Sequence, residues 1–597
     1  MRENNMEAKI SWNLSELFSS TSDPALERAI DKATKSVDNF ADRYKGKIEA
    51  FSAIELLNCI EEFEEIRKTL QNISLFSRLS FAANMSLPET QTLFDRVNKL
   101  DARLSKKLAF LSLELGKLVE KNPEIIMESA LNRYKHFLER IKRRVAFQLS
   151  EVEEQLIIEK DQFGVDAWEE LQSKWLNTRM FEVSVLGEAK RLNYGEANGL
   201  FAHPDRATRK SAYKSIYGLL GGDGEIFASA LRNICNDWMG NCERRKYTSA
   251  MESSLISNDT QKHIIENLIG TVEANAELYQ KYLNLKASLL DLPVLGCHDI
   301  LAPIPNVPEL KFSFEDAKDL IIRAHKKFDE EYSKPIHDMF RRNHIDAAPR
   351  FGKRNGAFCA GWYEGKSAFI LQSFTGTLND VFTLAHEMGH AIHDYYAQTS
   401  QPITNMNIPS IVAETASIFS ELLLTDLLVK EAKTEQEKRA VLCLVLDEAG
   451  MAGFQVTARV WFEQSLYESI DKGKFLDYKT ICGQWTSARD RIFGKAVDWF
   501  PEMDAEWTMK PHYFMANYRF YNYPYVYAQL FVYALYEKYL KEGKAFIPKM
   551  KQALSAGSSL SPQEIAKIFE LDINDSSFWQ PGINRFEHFI NALKENT

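Results

Sequence analysis

The chain has few of the features that would indicate secretion, membrane insertion or a disulfide-bonded fold. Its seven cysteines are scattered over 597 residues and form no Cys-x-x-Cys pair. We therefore expect a reducing compartment, without a disulfide framework or a cysteine-rich zinc site. No run of eighteen apolar residues occurs, and the polar stretch Met1–Met6 is followed by no apolar segment. The sequence thus predicts a cytoplasmic protein with no signal peptide and no membrane span.

The chain also lacks a long basic run, and its net charge is −10. Because nothing in this charge pattern would follow a nucleic-acid backbone, we expect no nucleic-acid partner. Apolar residues make up 45% and charged residues 26% of the sequence, which is typical of a globular protein. The length allows about two to four domains, but no low-complexity linker marks a border between them.

Helical periodicity dominates residues 25–180. The charged segments 140–144 and 151–154 are polar on one side and apolar on the other, a pattern that a long helical hairpin would explain. We predict an N-terminal helical lobe over residues 1–195 that contains this hairpin. A second region, also mostly helical, is predicted over residues 196–597.

Residues 350–377 differ from their surroundings because five glycines punctuate them. Within this stretch, residues 367–372 are the best strand candidate in the chain. Further upstream, a proline-rich break at 303–308 precedes a helix that is predicted from Ser313 to about Arg341. Long helices resume after the strand.

The most informative motif is His386-Glu-Met-Gly-His390, within a helix predicted over about 379–398. Two imidazoles four residues apart lie on one helix face and can bind one zinc ion. Glu387 lies between them and can accept a proton from a water that the metal activates. The pattern predicts a metal-dependent hydrolase, provided that the chain supplies a third ligand.

Two residues are candidates for that third ligand. His393 lies about 10 Å further along the helix axis than His386, so the two motif histidines and His393 cannot easily converge on one ion. Glu414 is the better candidate, because it lies in an apolar helix predicted over 409–422, where a buried carboxylate needs a partner. We interpret His393 as structural or as a support for one of the ligands, and we expect Glu421 to orient one of the histidines.

Aromatic residues are concentrated near the C-terminus, where residues 512–539 contain nine of the 23 tyrosines. Tyrosine hydroxyls and the His512 imidazole are able to donate hydrogen bonds to an oxyanion or to a peptide backbone. The alternative interpretation is an aromatic core, and for most of these tyrosines we favour it.

The chain resembles the oligoendopeptidase F group, relatives of thimet oligopeptidase among the zinc metallopeptidases. The resemblance covers nearly the whole length, and its most specific part is the block that ends in the histidine motif. The segments that carry it are Trp12–Phe18, Leu149–Glu154, Phe163–Trp168, Gly352–Cys359, Thr375–His390, Ala413–Ser417 and Phe520–Tyr525.

This resemblance implies roles for particular residues. Glu414 becomes the third ligand, beside His386 and His390, of one Zn²⁺ ion per chain. The donors that stabilise the transition state correspond to His512, Tyr521 and Tyr525. One departure is Ala528-Gln529, where relatives often have Gly-Tyr, so a further tyrosine donor of the family has no counterpart here.

The resemblance also implies a mainly α fold, with two helical lobes enclosing a deep channel and a small β-sheet beside the zinc-binding helix. Residues 196–597 would then be a zincin-like catalytic region. Because a narrow channel excludes folded proteins, the implied function is a zinc-dependent endopeptidase that hydrolyses short unstructured peptides. The strand at 367–372 would be the sheet edge to which a peptide adds. The alternatives are a metallocarboxypeptidase of the same family and an inactive peptide-binding protein; the oligomeric state stays open.

Overall fold

The protein is mostly helical in the computed structural model, which describes residues 10–305 and 310–595. Helices account for 71% and strands for 4% of the structure. The predicted mainly α class with small sheets is therefore confirmed, whereas the channel between two lobes stays a prediction. Met1–Met6 and the end of the proline-rich break, at 306–308, lie outside the described residues.

The chain forms two compact units, each assembled from separate stretches. The first unit contains residues 10–146, 310–431 and 535–572. Its helices are Pro24–Tyr44, Ala53–Ala83, Pro88–Lys121, Lys135–Val145, Phe314–Phe328, Lys334–Arg342, Leu378–Ser400, Ser410–Ala413, Thr415–Glu431, Phe546–Ser555 and Pro562–Ile568. The border at residue 195 between the two predicted regions stays a prediction.

The second unit contains residues 147–305, 432–534 and 573–595. Its helices are Glu151–Asp161, Asp166–Thr178, Tyr194–Gly199, Arg206–Gly222, Gly224–Arg245, Glu252–Ser257, Lys262–Ala274, Ala276–Leu289, Glu435–Gly450, Val456–Asp471, Tyr478–Phe493 and Gln580–Glu595. A π-helix, Met451–Gln455, joins two of these helices, and Tyr523–Glu542 continues from this unit into the first. Two two-stranded sheets belong to the unit, Phe181–Val185 with Glu188–Leu192 and Leu295–Gly296 with Val497–Asp498.

A three-stranded sheet lies beside the motif helix, which we define as Leu378–Ser400. Its order is Ile345–Asp346, Ser367–Leu371, Phe358–Trp362, and every residue of the middle strand is buried. The predicted strand and its place beside the motif helix are confirmed. The expectation that this strand is an edge was wrong, because strands pair with it on both sides. The outer strand among the described residues on the antiparallel side is Phe358–Trp362.

Two predicted helical segments are interrupted. Residues 140–154 do not form a long hairpin; Lys135–Val145 ends before Ser150, whose side chain caps the next helix through the backbone N–H of Glu153. The long hairpin lies earlier, where Ala53–Ala83 packs against Pro88–Lys121. A serine hydroxyl that accepts from the backbone stabilises a helix start, and Ser150 thereby fixes the break at this position.

The predicted helix from Ser313 to about Arg341 is likewise two helices. The first ends at Phe328, because Asp329 adopts an extended conformation with φ −163° and ψ 133°. Lys334–Arg342 then begins with Pro335 in its first turn, where a missing backbone N–H costs no hydrogen bond.

Among the described residues, one helical run, Glu435–Asp471, is long and apolar enough to cross a membrane by length and composition. Of its most apolar window, 61% is buried inside the protein. A core helix passes the same test, so the run gives only weak evidence for a membrane span.

The motif helix packs against Thr415–Glu431, which we call the carboxylate helix, at Gly389. A Cβ atom at this glycine would lie 2.3 Å from the carbonyl oxygen of Ala416 and 2.4 Å from Cα of Ser417. The missing side chain therefore lets two helix backbones approach more closely than any other residue allows. This approach brings the histidine face of the motif helix to the start of the carboxylate helix.

We expect Gly389→Ala to destabilise the protein by about 1–3 kcal/mol, because the added methyl group overlaps backbone atoms that cannot move away alone. The matched control is Gly270→Ala, at an exposed helical position with no atom within 4 Å of the added Cβ. That control should be neutral or stabilising by up to about 1 kcal/mol. Thermal unfolding followed by circular dichroism compares the two; equal unfolding temperatures would contradict the close approach.

Candidate active site

Three side chains predicted to hold a metal converge in the first unit. One ligand atom from each of His386, His390 and Glu414 lies within 4.8 Å of the other two. Nε2 of His386 is 3.2 Å and Nε2 of His390 is 3.3 Å from Oε2 of Glu414. Ligand atoms held at about 2.0–2.1 Å around a tetrahedral zinc ion lie about 3.3–3.4 Å apart. The two measured separations fit that spacing.

The orientation of His386 is set from its other nitrogen. Its Nδ1 is 2.5 Å from Oε1 of Glu421, so Glu421 accepts the proton of Nδ1 and Nε2 is turned toward Glu414. Glu421 had been expected to orient one of the histidines, and in the structure its partner is His386. His386 thus faces two carboxylates, one at each ring nitrogen: Glu421 of the carboxylate helix, and Glu414 immediately before that helix.

Glu414 lies at a break in the backbone rather than within a continuous helix. The short helix Ser410–Ala413 ends there, with Glu414 at φ −80° and ψ 5°, before Thr415–Glu431 begins. Sequence periodicity had predicted one helix through this position. The hydroxyl of Ser417 donates to Oε2 of Glu414 at 2.6 Å, so the break and Ser417 together direct the carboxylate to the two imidazoles.

The charges within this cluster compensate one another. Burial favours the neutral acid at Glu414, but hydrogen bonds from His386 and His390 outweigh it and hold the pKa of Glu414 well below its usual range. Burial raises the pKa of Glu387, a shift that the two neighbouring imidazoles oppose. Glu387 is only 7% exposed. A buried carboxylate with a raised pKa is suited to accept and return a proton.

His393 lies apart from this convergence. Its ring is buried, and its Nδ1 is 3.4 Å from the carbonyl oxygen of Ala413. Burial lowers the pKa of His393 to about 4, so the ring is neutral and donates to this carbonyl. It belongs to none of the described groups that could hold a metal. This contact supports the residue that precedes Glu414.

In the second unit, three of the predicted donors form an aromatic group. The rings of His512 and Tyr521 are stacked with centroids 4.6 Å apart, and Tyr521 meets Tyr525 edge-on at 5.2 Å. The hydroxyl of Tyr525 donates to the hydroxyl oxygen of Tyr521 at 2.7 Å, which leaves the Tyr521 proton available to another acceptor. Burial, with the cations Arg459 and Lys510, lowers the pKa of His512.

A buried ion pair that the sequence did not indicate anchors this aromatic segment. The Arg519 guanidinium lies 3.2 Å from Glu463, and it donates to the Tyr467 hydroxyl at 2.6 Å and to the carbonyl of Tyr513 at 2.8 Å. The backbone N–H of Phe520 donates to Glu463 at 2.9 Å. Phe520 adopts a positive φ of 55°, a costly conformation that surrounding contacts must hold. These bonds place Tyr521 directly after a fixed turn.

Most of the other tyrosines in this stretch belong to the core, as expected. Tyr513, Tyr523 and Tyr527 are all less than 2% exposed. Tyr523 also bonds to Ser254 and Asn258 through its hydroxyl, at 3.1 Å each. Only part of the cluster is therefore presented to solvent.

A helix carries the motif His-Glu-x-x-His, and a carboxylate from another segment lies beside both histidines. This arrangement is typical of the active site of one class of metallopeptidases. A family description, "Peptidase family M3", matches residues 200–585, and a second, "Oligopeptidase F", matches residues 114–177. Because the first match spans more than half of the sequence, the chain belongs to peptidase family M3. It is accordingly a metalloendopeptidase, and the predicted family and enzyme class are confirmed.

Two relatives are similar to this chain over nearly its whole length, and one solved structure shares its fold. Oligopeptidase PepF of Bacillus subtilis is 26% identical over 595 residues, covering 99% of this chain and 88% of the relative. An oligoendopeptidase F homolog of Lactococcus lactis is 25% identical and covers 99% and 98%. The fold is similar to a crystal structure of a putative peptidase from Chlamydophila abortus, with a TM-score of 0.87 and 22% identity over 99% of this chain and 98% of that one.

We expect Arg519→Met to destabilise the protein by about 3–5 kcal/mol, because it leaves Glu463 buried without its cation. The control is Lys472→Met, which removes a pair with Glu468 whose side chains are 62% and 67% exposed. An exposed pair contributes about 0–1 kcal/mol. Unfolding temperatures measure both, and an equally small shift for the two variants would rule out the anchoring role of Arg519.

Proposed function

We propose that the protein is a zinc-dependent endopeptidase that hydrolyses internal bonds of short unstructured peptides. The single observation that carries this proposal is the convergence of His386, His390 and Glu414, with the buried carboxylate of Glu387 on the same helix turn. Two neutral imidazole nitrogens and one carboxylate are the donor set of catalytic zinc sites that keep one coordination position open.

The residues present fit such an ion. Glu421 fixes the tautomer of His386, and Ser417 fixes the orientation of Glu414, so both ligands are supported before any metal binds. When bound, zinc lowers the pKa of water toward about 7 and polarises a carbonyl oxygen. The chain contributes the remaining chemistry through its own side chains.

In this proposal Glu387 is the general base. Its carboxylate accepts a proton from the attacking water and then passes that proton to the leaving amine. The raised pKa of Glu387 supports the second step, because a carboxyl that holds a proton more firmly can deliver it to the departing nitrogen.

His512 and Tyr521 are proposed to donate hydrogen bonds to the oxyanion of the tetrahedral intermediate. The hydrogen bond from Tyr525 to Tyr521 supports this role, because it turns the proton of Tyr521 outward. Tyr525 is 39% exposed, and its one hydroxyl proton is directed to Tyr521 here; it is proposed as a further donor after that hydroxyl rotates toward the substrate. Removal of one such donor typically lowers kcat by about 10²- to 10³-fold.

The peptide is proposed to bind as an added strand. Since Ser367–Leu371 is paired on both sides, the available edge is Phe358–Trp362. Edge addition uses the peptide's own backbone N–H and C=O groups, and these are available only in an extended chain. Unstructured peptide substrates follow from this, and the names of the relatives, oligopeptidase and oligoendopeptidase, support short ones. We further propose a cytoplasmic location without nucleic-acid or membrane partners.

The central test is Glu387→Gln. This variant should keep one zinc ion per chain, because the ligands are untouched, while kcat/KM on a quenched fluorescent peptide falls by at least about 10²-fold with the loss of the base. Glu431→Gln, an exposed position on the carboxylate helix, serves as the control with unchanged rates. Metal analysis by mass spectrometry accompanies the kinetics, and near-parental cleavage by Glu387→Gln would refute the assigned base.

A second test separates the two candidate third ligands. Glu414→Ala should lose zinc after dialysis against a weak chelator, whereas His393→Ala should retain most of it, because His393 contacts only the backbone at Ala413. Zinc content of the purified variants is the readout. The opposite result would make His393 the ligand. Product masses from a mixed peptide pool, with and without chelator, distinguish internal cleavage from removal of C-terminal residues and from binding without cleavage.

A further inference from the structure

A cavity of about 440 Å³ lies within the second unit, and none of the site residues assigned above is on its described lining. Aromatic rings form much of its wall, with Tyr213, Trp485, Phe493 and Trp499 among the lining side chains. Its size is in the range of pockets that hold small ligands or single side chains. The π-helix Met451–Gln455 contributes its first and last residues to the wall, and such helices occur frequently at functional sites.

The side chains that line the cavity carry more positive than negative charge. Arg459 and Lys510 both line it, and Glu506 is the only acidic side chain on its described lining. Lys510 is 3.8 Å from Glu506, too far for a hydrogen bond. Two cations against one carboxylate leave one positive charge in a largely apolar enclosure. Burial, reinforced by the Arg459 guanidinium, lowers the pKa of Lys510 to about 8.

Several donors in this wall have no acceptor among the described residues. These are the buried Nε of Arg459 and the indole N–H groups of Trp485 and Trp499. Trp485 is only 4% exposed. Arg459 forms no ion pair with any described residue either. A half-buried guanidinium without a carboxylate is unfavourable, and so are buried donors without an acceptor. An anionic hydrogen-bond acceptor in the cavity would satisfy these three donors and compensate the charge of Arg459.

We propose that this cavity binds a carboxylate of a peptide, with Arg459 and Lys510 facing the carboxylate and the aromatic wall enclosing the apolar part of the residue that carries it. A singly charged carboxylate matches the one excess positive charge, whereas a phosphate dianion would face repulsion from Glu506. The carboxylate belongs either to the C-terminus of the peptide or to an acidic side chain. The inference rests on the proposed peptidase function, from which the peptide nature of the ligand comes.

The test uses three fluorescent peptides of identical internal sequence. One ends in phenylalanine as the free acid, the second ends in phenylalanine amide, and the third ends in glutamate amide. Their Kd values are measured by anisotropy on zinc-loaded Glu387→Gln protein, which should bind without cleaving. The free acid should bind about tenfold more tightly than phenylalanine amide, because charge-assisted hydrogen bonds are lost with the carboxylate. Tight binding of glutamate amide would assign the carboxylate to a side chain, and weak binding would assign it to the C-terminus.

Substitutions in the cavity wall then test which side chains recognise the carboxylate. Arg459→Gln and Lys510→Gln, each in the Glu387→Gln background, should reduce the ratio of acid to amide affinity towards one, while Arg459→Lys should retain part of it. Lys495→Gln, at an exposed position outside the cavity, should leave the ratio unchanged. Unfolding temperatures show whether each variant is folded. If Arg459→Gln is not folded, the affinity ratio of Lys510→Gln decides the test.

Two results would overturn the proposal: equal affinity of the acid and both amides for the parent protein, or a ratio that persists in both Arg459→Gln and Lys510→Gln. Cleavage of phenylalanine amide peptide by the wild-type enzyme is measured in parallel. If that peptide is cleaved while the acid and both amides bind with equal affinity, the carboxylate pocket is wrong and the peptidase function stands. If no peptide is cleaved with zinc present, the proposed function itself fails.

Discussion

The close approach of two helices at Gly389 is the constraint on which the candidate metal centre depends. With no side chain at this position, the backbone of the motif helix can lie against Ala416 and Ser417. Only at that distance can Glu414 and Glu421 reach opposite nitrogens of His386. The same geometry explains why the carboxylates tolerate partial burial, since each has a hydrogen-bonded partner that offsets its loss of hydration.

A different principle holds the aromatic group of the second unit. Arg519 and Glu463 are almost fully buried as a pair, and their hydrogen bonds fix the backbone on both sides of Phe520. Such a pair is favourable only when further hydrogen bonds accompany the mutual charge, as those to Tyr467, Tyr513 and Phe520 do here. The positive φ at Phe520 is therefore held by surrounding structure, and the stack of His512 on Tyr521 follows from it. Preorganised donors of this kind reduce the rearrangement needed when charge develops on a substrate.

Much of the local structure could be predicted from the sequence, because it depends on spacing along the chain. Helical periodicity located the motif helix, and glycine spacing isolated the strand Ser367–Leu371. Other features could not be predicted. The pairing of Ile345–Asp346 with that strand joins distant segments, and the interruptions at Asp329 and Glu414 oppose continuous apolar patterns. Glu463 gave no signal, since an acidic residue within a helix is ordinarily exposed.

The sequence by itself determined which functional groups are available: two imidazoles and a carboxylate at fixed offsets on one helix, and a dense run of tyrosines. Only the tertiary structure decided which distant carboxylate meets the imidazoles, which tyrosine is hydrogen-bonded by its neighbour, and which cations are left in an apolar cavity. The reason is physical. Offsets along a helix are set by its geometry, whereas contacts between segments are selected by the burial of whole faces and by the need to satisfy the polar groups buried with them.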